Sequence, residues 1–396
     1  MFDLVKLKSV CDIQSGGTPS RKKNSHYGGK IKWAKISDLE TAGDGFIYNT
    51  EEHITESGLE NIRNRMFEID TLFLAMYGSV GKTAITKERM SCNQAILGIN
   101  VNKQNLVHLP FLKYWFDSVK EKLINSARGV ALKNLSAGIV KDLKIPLPPL
   151  AIQQKIAQIL DDAVDLRDKT KQLLQEYDAL AQSIFLDMFG DPLRNPKGWN
   201  ITRFDELVSV DCPLTYGIVQ PGEEFVNGVP CVRPVDLINQ YIGLNNLKMI
   251  DPVISNKFKR TLLNGGEILL SVRGSVGVIS IADESLKGAN VTRGIVPIWF
   301  NKSISNKLFF YYLYKTKRVQ NQIKRLSKGA TLIQINLKDL RELKLIQPPI
   351  GIQNQFAEKI ALLEKQKELA KQELQESEDL FNCLLQKAFK GELVKE

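Results

Sequence analysis

The sequence predicts an α+β protein: two α/β globular domains related by a pseudo-twofold and separated by two long antiparallel coiled-coil helices. Three observations predict it. The 396-residue chain repeats itself at about half its length. Each copy begins with short β-rich runs broken by Gly, Pro and Asn turns. Each copy then closes in a long helical pattern that no Gly or Pro interrupts for most of its length.

The repeat is clearest where the mixed part of each copy ends. Residues 128–149 read RGVALKNLSAGIVKDLKIPLPP, and residues 328–349 read KGATLIQINLKDLRELKLIQPP. At an offset of 200, Gly129 matches Gly329, Leu132 matches Leu332, Lys144 matches Lys344, and Pro148-Pro149 matches Pro348-Pro349. The segments IQQKIAQIL at 152 and IQNQFAEKI at 352 keep that offset. Upstream it drifts to 196, where Gly78-Ser79-Val80-Gly81 matches Gly274-Ser275-Val276-Gly277. Each of these turns follows an apolar, strand-like run, Leu72-Phe73-Leu74 or Ile268-Leu269-Leu270. Earlier still, Ile36-Ser37-Asp38-Leu39 matches Pro234-Val235-Asp236-Leu237 at an offset of 198. Such drift places insertions in loops, where chains tolerate them. A period near 200 is too long for a solenoid.

The elements follow in order: a globular domain over 1–147, a first spacer helix over 148–190, a second globular domain over 191–347 and a second spacer helix over 348–396. In the first helix Ile152, Ile156, Ile159, Ala163, Leu166, Thr170, Leu173, Tyr177, Leu180 and Ile184 alternate spacings of four and three, a heptad seam. In the second, Phe356, Ile360, Leu363, Lys367, Ala370, Leu374, Ser377, Phe381, Leu384 and Ala388 repeat it. Each helix spans roughly 55 Å at 1.5 Å per residue. The matched seams favour pairing with each other over packing on separate cores. Between the first helix and the second domain, Phe189-Gly190-Asp191-Pro192, Asn195-Pro196 and Gly198-Trp199 form a turn-rich linker.

Charge and composition narrow the function. With 54 Lys+Arg against 44 Asp+Glu the chain carries +10, a weak pointer to an anionic partner. No apolar run reaches the roughly 18 residues of a membrane span, and MFDLVKLKSV lacks the apolar core of a secretory signal. Cys11, Cys92, Cys212, Cys231 and Cys383 are scattered and odd in number, as expected of a reducing cytoplasm.

No catalytic, metal or cofactor constellation emerges. His26, His53 and His108 lack zinc-type spacing to the cysteines, and neither a zinc-protease nor a nucleophile-elbow pattern occurs. Tyr77-Gly78-Ser79-Val80-Gly81-Lys82-Thr83 resembles a phosphate-binding loop, but Met76 stands where that loop needs glycine, and the second copy has no lysine. A tight glycine turn after a buried strand explains both copies. The duplicated acids Asp38 and Asp236 read as turn or capping acids.

Basic residues crowd two places: Arg21, Lys22, Lys23, Lys30 and Lys32 after a glycine turn, and Lys315, Lys317, Arg318, Lys324, Arg325 and Lys328 late in the second domain, preceded by Tyr311, Tyr312 and Tyr314. A solvated face is one reading of such runs. The other is phosphate contacts that position DNA, with Arg, Gln, Asn, Ser and Tyr on the loops reading bases.

Several motifs resemble one known family. Ser15-Gly16-Gly17-Thr18-Pro19-Ser20-Arg21, Tyr27-Gly28-Gly29, Ile31-Lys32-Trp33 and Ile36-Ser37-Asp38-Leu39 look like the opening of a target recognition domain in the specificity subunit of type I restriction–modification systems. The Gly78–Gly81 turn, the Ile145-Pro146-Leu147-Pro148-Pro149 exit, the Ile152-Gln153-Gln154-Lys155-Ile156 helix start and the linker are similar to it as well. The second copy departs at its start, where Tyr216-Gly217-Ile218-Val219-Gln220-Pro221-Gly222 resembles an alternative opening in the same family.

The resemblance implies a non-catalytic subunit without cofactor or metal. Two target recognition domains would each read half of a bipartite asymmetric site in double-stranded DNA. The helices would set the gap and dock two methylation subunits, and restriction–translocase subunits would join them. The candidate DNA contacts are Arg21, Lys22, Tyr77, Ser79 and Lys82 in the first domain and Gln220, Arg233, Arg273, Ser275 and Arg293 in the second. Two rival classes stay open: a self-contained nuclease or methylase, and a protein-interaction scaffold built on the helices.

Overall fold

A computed structural model describes residues 2–43, 45–128, 135–327 and 333–394, with the side chains of 126–128 left aside. Gly129, Leu132, Lys328, Gly329 and Leu332 lie outside the described residues. The chain forms two compact units, the first built from two stretches and the second from one. The first comprises Met1–Lys171 with Gln372–Glu396, and the second Gln172–Lys371.

In the first unit a five-stranded sheet runs in the order Cys11–Ser15, Ile96–Val101, Leu72–Ala75, Thr83–Thr86, Phe46–Ile47. Its central strand, Leu72–Ala75, is antiparallel to both neighbours, with Leu72 opposite Ile85 and Ile99. All four of its residues are buried, and a strand covered on both faces reads as an unbroken apolar run rather than an alternating one. A second sheet orders Glu52–Ile54, Tyr27–Ala34 and Ser91–Cys92, and Leu4–Lys6 pairs with Lys144–Pro146.

The second unit repeats this plan. Tyr241–Ile242, Ile279–Ala282, Ile268–Ser271 and Ile295–Ile298 form a four-stranded sheet; Lys248–Ile250, Val229–Val232 and Asn290–Val291 form a three-stranded one; Asn200–Arg203 pairs with Lys344–Gln347. One edge differs. The counterpart of Cys11–Ser15 shrinks to a single bridge between Val208 and Phe300. The late helix also differs: one element, Leu109–Arg128, in the first unit becomes Lys307–Lys315 and Lys317–Leu326 in the second. Thr316 makes the break, its side chain capping the next turn by accepting from Val319 N at 3.4 Å.

The long helices run over Leu150–Phe189 and Ile350–Lys390. In the first unit their segments pack antiparallel: Arg167 lies 5.7 Å over the Phe381 ring and Lys171 pairs with Glu378 at 3.3 Å. Ile156, Leu160, Leu385 and Ala388 share one core there with Phe111 and Trp115. In the second unit Phe356 meets Phe185 and Phe189 at 5.6 and 5.4 Å between ring centroids, and Lys367 donates to Asp178 at 2.7 Å.

Every position of the second-helix seam is buried or half-buried. The first-helix seam needs correction, because Leu166 and Leu180 are 49% and 47% exposed. Burial follows Ile156, Leu160, Ala163, Thr170, Ala181, Phe185 and Phe189 instead. A straight helix turns every 3.6 residues, so a strict heptad drifts off the buried face. This helix also faces the globular cores as well as a partner helix, which widens its buried stripe.

Each long helix is fastened by the same device. Gln153 is fully buried; its amide donates to Leu106 O and Pro148 O at 2.7 and 2.8 Å and accepts from His108 N at 2.9 Å. Gln353 donates to Ile304 O and Pro348 O at 3.1 and 2.7 Å and accepts from Asn306 N at 2.9 Å. Removing a buried partner of this kind strands several polar groups.

Candidate nucleic-acid interface

In each unit four loops meet at one end of the central sheet, held by matching backbone hydrogen bonds. In the first, Gly17 N donates to Cys92 O at 2.8 Å, Asn93 N to Ala34 O at 2.9 Å and Met76 N to Ala95 O at 2.8 Å. In the second, Ile218 N donates to Val291 O at 2.8 Å, Thr292 N to Val232 O at 2.9 Å and Val272 N to Gly294 O at 2.8 Å. These bonds align the two openings that look unlike in sequence. A Cβ on Gly16 would sit 2.2 Å from Cys92 O, and one on Gly217 2.1 Å from Val291 O. Only glycine allows that approach.

The glycine turns behave as the turn reading requires. Gly78 and Gly81 have φ of +65° and +80°, and Gly274 and Gly277 +78° and +86°, a left-handed region open to glycine. The duplicated acids are turn acids too. Asp38 Oδ2 accepts from Lys35 N, and Asp236 Oδ2 from Arg233 N, each at 2.7 Å.

The loops gather the candidate residues of each unit at one end, but give them different surroundings. In the first unit Arg21 is engaged: it pairs with Glu52 at 2.8 Å and lies 4.4 Å over the Tyr27 ring and 5.3 Å over Trp33. Lys35 reaches the same carboxylate at 2.9 Å. The hydrogen bonds from Arg21 and then Lys35 hold the Glu52 carboxyl below its ordinary pKa. The Ser79 hydroxyl donates to Glu40. Tyr77 is half-buried against the domain core, Lys82 is half-buried, and Lys22 is exposed.

In the second unit Arg233 is held by Asp236, its Nε and Nη2 donating at 3.1 and 2.8 Å, and that bond raises its pKa. Gln220, Ser275 and Arg293 are exposed and Arg273 is half-buried. Among the described residues Arg273 and Arg293 make no ion pair.

Three tyrosines leave the interface. Tyr311, Tyr312 and Tyr314 are buried in the core, and Tyr312 OH donates to Glu364 at 2.9 Å. Apolar spacing on the helix Lys307–Lys315 turns them inward, whatever their nearness to lysines suggests. Those cations do form a surface: Lys315, Lys317, Arg318, Lys324 and Arg325 are exposed, while Val319 and Ile323 are buried beneath them.

The sequence reading missed two groups. Glu52 is the counterion of Arg21, 31 positions away, and no local signal pairs them. Ile333 and Gln334 border the Arg273 turn: Gln334 bridges Arg273, and Gly274 N donates to Ile333 O at 3.1 Å. Among the described residues no group of three or more His, Cys, Asp or Glu side chains is placed to hold a metal, and no helix is long and apolar enough to cross a membrane.

A family model described as the type I restriction modification DNA specificity domain matches the chain twice, over residues 2–177 and 196–378. The EcoBI specificity subunit of Escherichia coli is 26% identical over 356 residues, covering 82% of this chain and 74% of that protein. The MjaIX specificity subunit of Methanocaldococcus jannaschii is 27% identical over 387 residues, covering 90% and 85%. A chain from work on assembly and conformational transition of the type I R-M system superposes with a TM-score of 0.62 at 20% identity, covering 99% and 98%. The S subunit of the M. genitalium type I system gives 0.53 at 16% identity, covering 98% and 96%. The likeness to these two structures is one of fold.

Proposed function

Because the chain belongs to the type I restriction modification DNA specificity family, with two copies of its domain, we propose that it is the sequence-specificity subunit of a type I restriction–modification complex. Residues 1–147 and 191–347 are its target recognition domains, each reading one half of a bipartite asymmetric site in double-stranded DNA. Residues 148–190 and 348–396 are spacer helices that set the gap and dock two methylation subunits; restriction–translocase subunits complete the assembly. The subunit carries no catalytic centre, leaves chemistry to those partners, and works in the cytoplasm beside its DNA.

One observation carries the reading: the same four-loop end is built twice, and the side chains on it differ. Like scaffolds with unlike loops suit unlike half-sites. Arginines at the loop ends suit guanine edges or phosphates, and exposed Gln and Ser suit adenine and mixed contacts. The helix Lys317–Leu326 offers cations for phosphates.

Methylation mapping in a host expressing the chain with its methylation subunit tests this. The expected result is a split, asymmetric motif with one methylated adenine in each half. A motif that stays the same when this chain is replaced by a relative, or methylation without it, overturns the reading.

A further inference from the structure

A cleft in the second unit lies away from the recognition loops. Gly265, Gly266, Glu284, Trp299, Lys302, Ser305 and Lys307 line about 360 Å³ of space, enough for a small metabolite. The cleft occupies the opposite end of the strands that carry the interface. Ile268–Ser271 starts beside Gly266 and ends two residues before Arg273; Ile295–Ile298 starts after Gly294 and ends just before Trp299. Four strand residues span about 13 Å, so the cleft is separate from the loops.

Three features of the cleft suit an anion. It opens at the N-terminal end of the helix Lys307–Lys315, where the backbone dipole favours negative charge. Lys302 and Lys307 line it with Glu284, leaving one net positive charge, and neither lysine makes an ion pair among the described residues. Ser305, 3% exposed, lines the cleft, and its buried Oγ has no hydrogen-bond partner. A buried hydroxyl left unsatisfied is costly, and turning it about χ1 toward a phosphate bound in the cleft would satisfy it. Trp299, half-buried with the Lys302 ammonium 5.1 Å over its ring, adds a flat apolar surface.

The internal repeat supplies a control. The bonds from His108 N to Gln153 and from Asn306 N to Gln353 put His108 and Asn306 in register. Val107 is therefore the counterpart of Ser305, and it is buried in the first unit's core. At the same offset Gln104 stands for Lys302 and Leu109 for Lys307. Packing alone is met by valine there; the second copy has exchanged it for a hydroxyl flanked by two lysines.

We propose that this cleft binds a phosphorylated small molecule of the nucleotide class. The phosphate lies against Ser305 Oγ, the two lysines and the helix start, and the base lies against Trp299. Calorimetric titration of the full-length chain with adenosine monophosphate, inorganic phosphate and adenosine tests it. Saturable binding of the monophosphate, weaker binding of phosphate and weaker binding still of adenosine are expected. Ser305→Val, which installs the first unit's residue, and Lys302→Gln should each weaken monophosphate binding about tenfold, as loss of a charge-assisted contact does. Lys302→Gln should unfold at the wild-type temperature and Ser305→Val at that temperature or above it, and Lys257→Ala, at an exposed position outside the cleft, should bind as wild type does. Absence of saturable binding in the millimolar range, or variants that bind like wild type, overturns the site. Phosphate binding as tightly as the monophosphate overturns the nucleotide class. Methylation mapping reads the DNA function separately, so either idea can fail alone.

Discussion

In the first unit Arg21 is clamped between Glu52 and the rings of Tyr27 and Trp33, and Ser79 is bonded to Glu40. At the same end of the second unit Arg233 is held by Asp236, while Arg273 and Arg293 are without an ion pair among the described residues. The backbone that presents these side chains shares three matching loop-to-loop hydrogen bonds in the two units. The difference teaches that the scaffold sets where loops converge, while long-range carboxylates set which cations are free to meet a ligand. A clamped arginine is pre-oriented but must exchange a carboxylate for a phosphate or base. A free one is available at once and ordered less.

The helix segments beneath the two units differ as well, and the largest effect is expected there. Phe356 sits among Phe185, Phe189 and Tyr312, where its counterpart Ile156 packs in an aliphatic and aromatic core. Phe356→Ala should cost about 3–5 kcal/mol, measured by urea denaturation. A smaller loss than that of Ile156→Ala would show that the aromatic cluster is not the stronger anchor.

Next come the two glycines. Gly16→Ala and Gly217→Ala each drive a Cβ into a carbonyl oxygen and should destabilise by about 1–3 kcal/mol or more. Tolerance of one and not the other would break the equivalence of the two openings.

Arg273→Ala should relax discrimination at one base by about 1–3 kcal/mol, read by binding selection on the assembly with methylation subunits. An unchanged preference would remove Arg273 from the readout.

Glu52→Gln should free Arg21, while Lys35 keeps Glu51 at 2.9 Å, and steepen the salt dependence of binding by about one unit of slope. The same contact predicts a pH effect. The Glu52 carboxyl is held below its ordinary pKa, so the clamp is complete above the usual glutamate value of about 4.3. It is lost as pH falls through the lowered value. A midpoint at the ordinary value of about 4.3 in the NMR titration of that carboxyl would argue against the clamp. The smallest change belongs to Lys22→Ala, which should weaken binding to all sequences and lower the slope by about 1. A sequence-dependent loss would instead make Lys22 a base contact.

Much of the architecture was legible in the sequence. Leu72-Phe73-Leu74 and Ile268-Leu269-Leu270 announce strands buried on both faces, and the second-helix seam from Phe356 to Ala388 is the buried face. Asp38 and Asp236 were legible as turn acids because their partners are three residues away. Leu166 and Leu180 were misplaced since heptad counting neglects the drift of a real helix and the cores it also serves. Neighbouring lysines point Tyr311, Tyr312 and Tyr314 to the surface, but helical spacing decides their burial.

Local physics accounts for what the sequence determined by itself: the doubled plan, the strand and helix identities, the glycine turns and the family motifs. Each depends on residues within a turn or a few heptads, so order along the chain suffices. Tertiary structure alone decided that Glu52 takes Arg21, that Gly16 and Gly217 make one crossing, and that Ser305 lines a cleft with its hydroxyl unmet. Those outcomes join groups tens of residues apart, or depend on space left between elements. Coulomb attraction and steric exclusion act through that space, which the order of residues does not display.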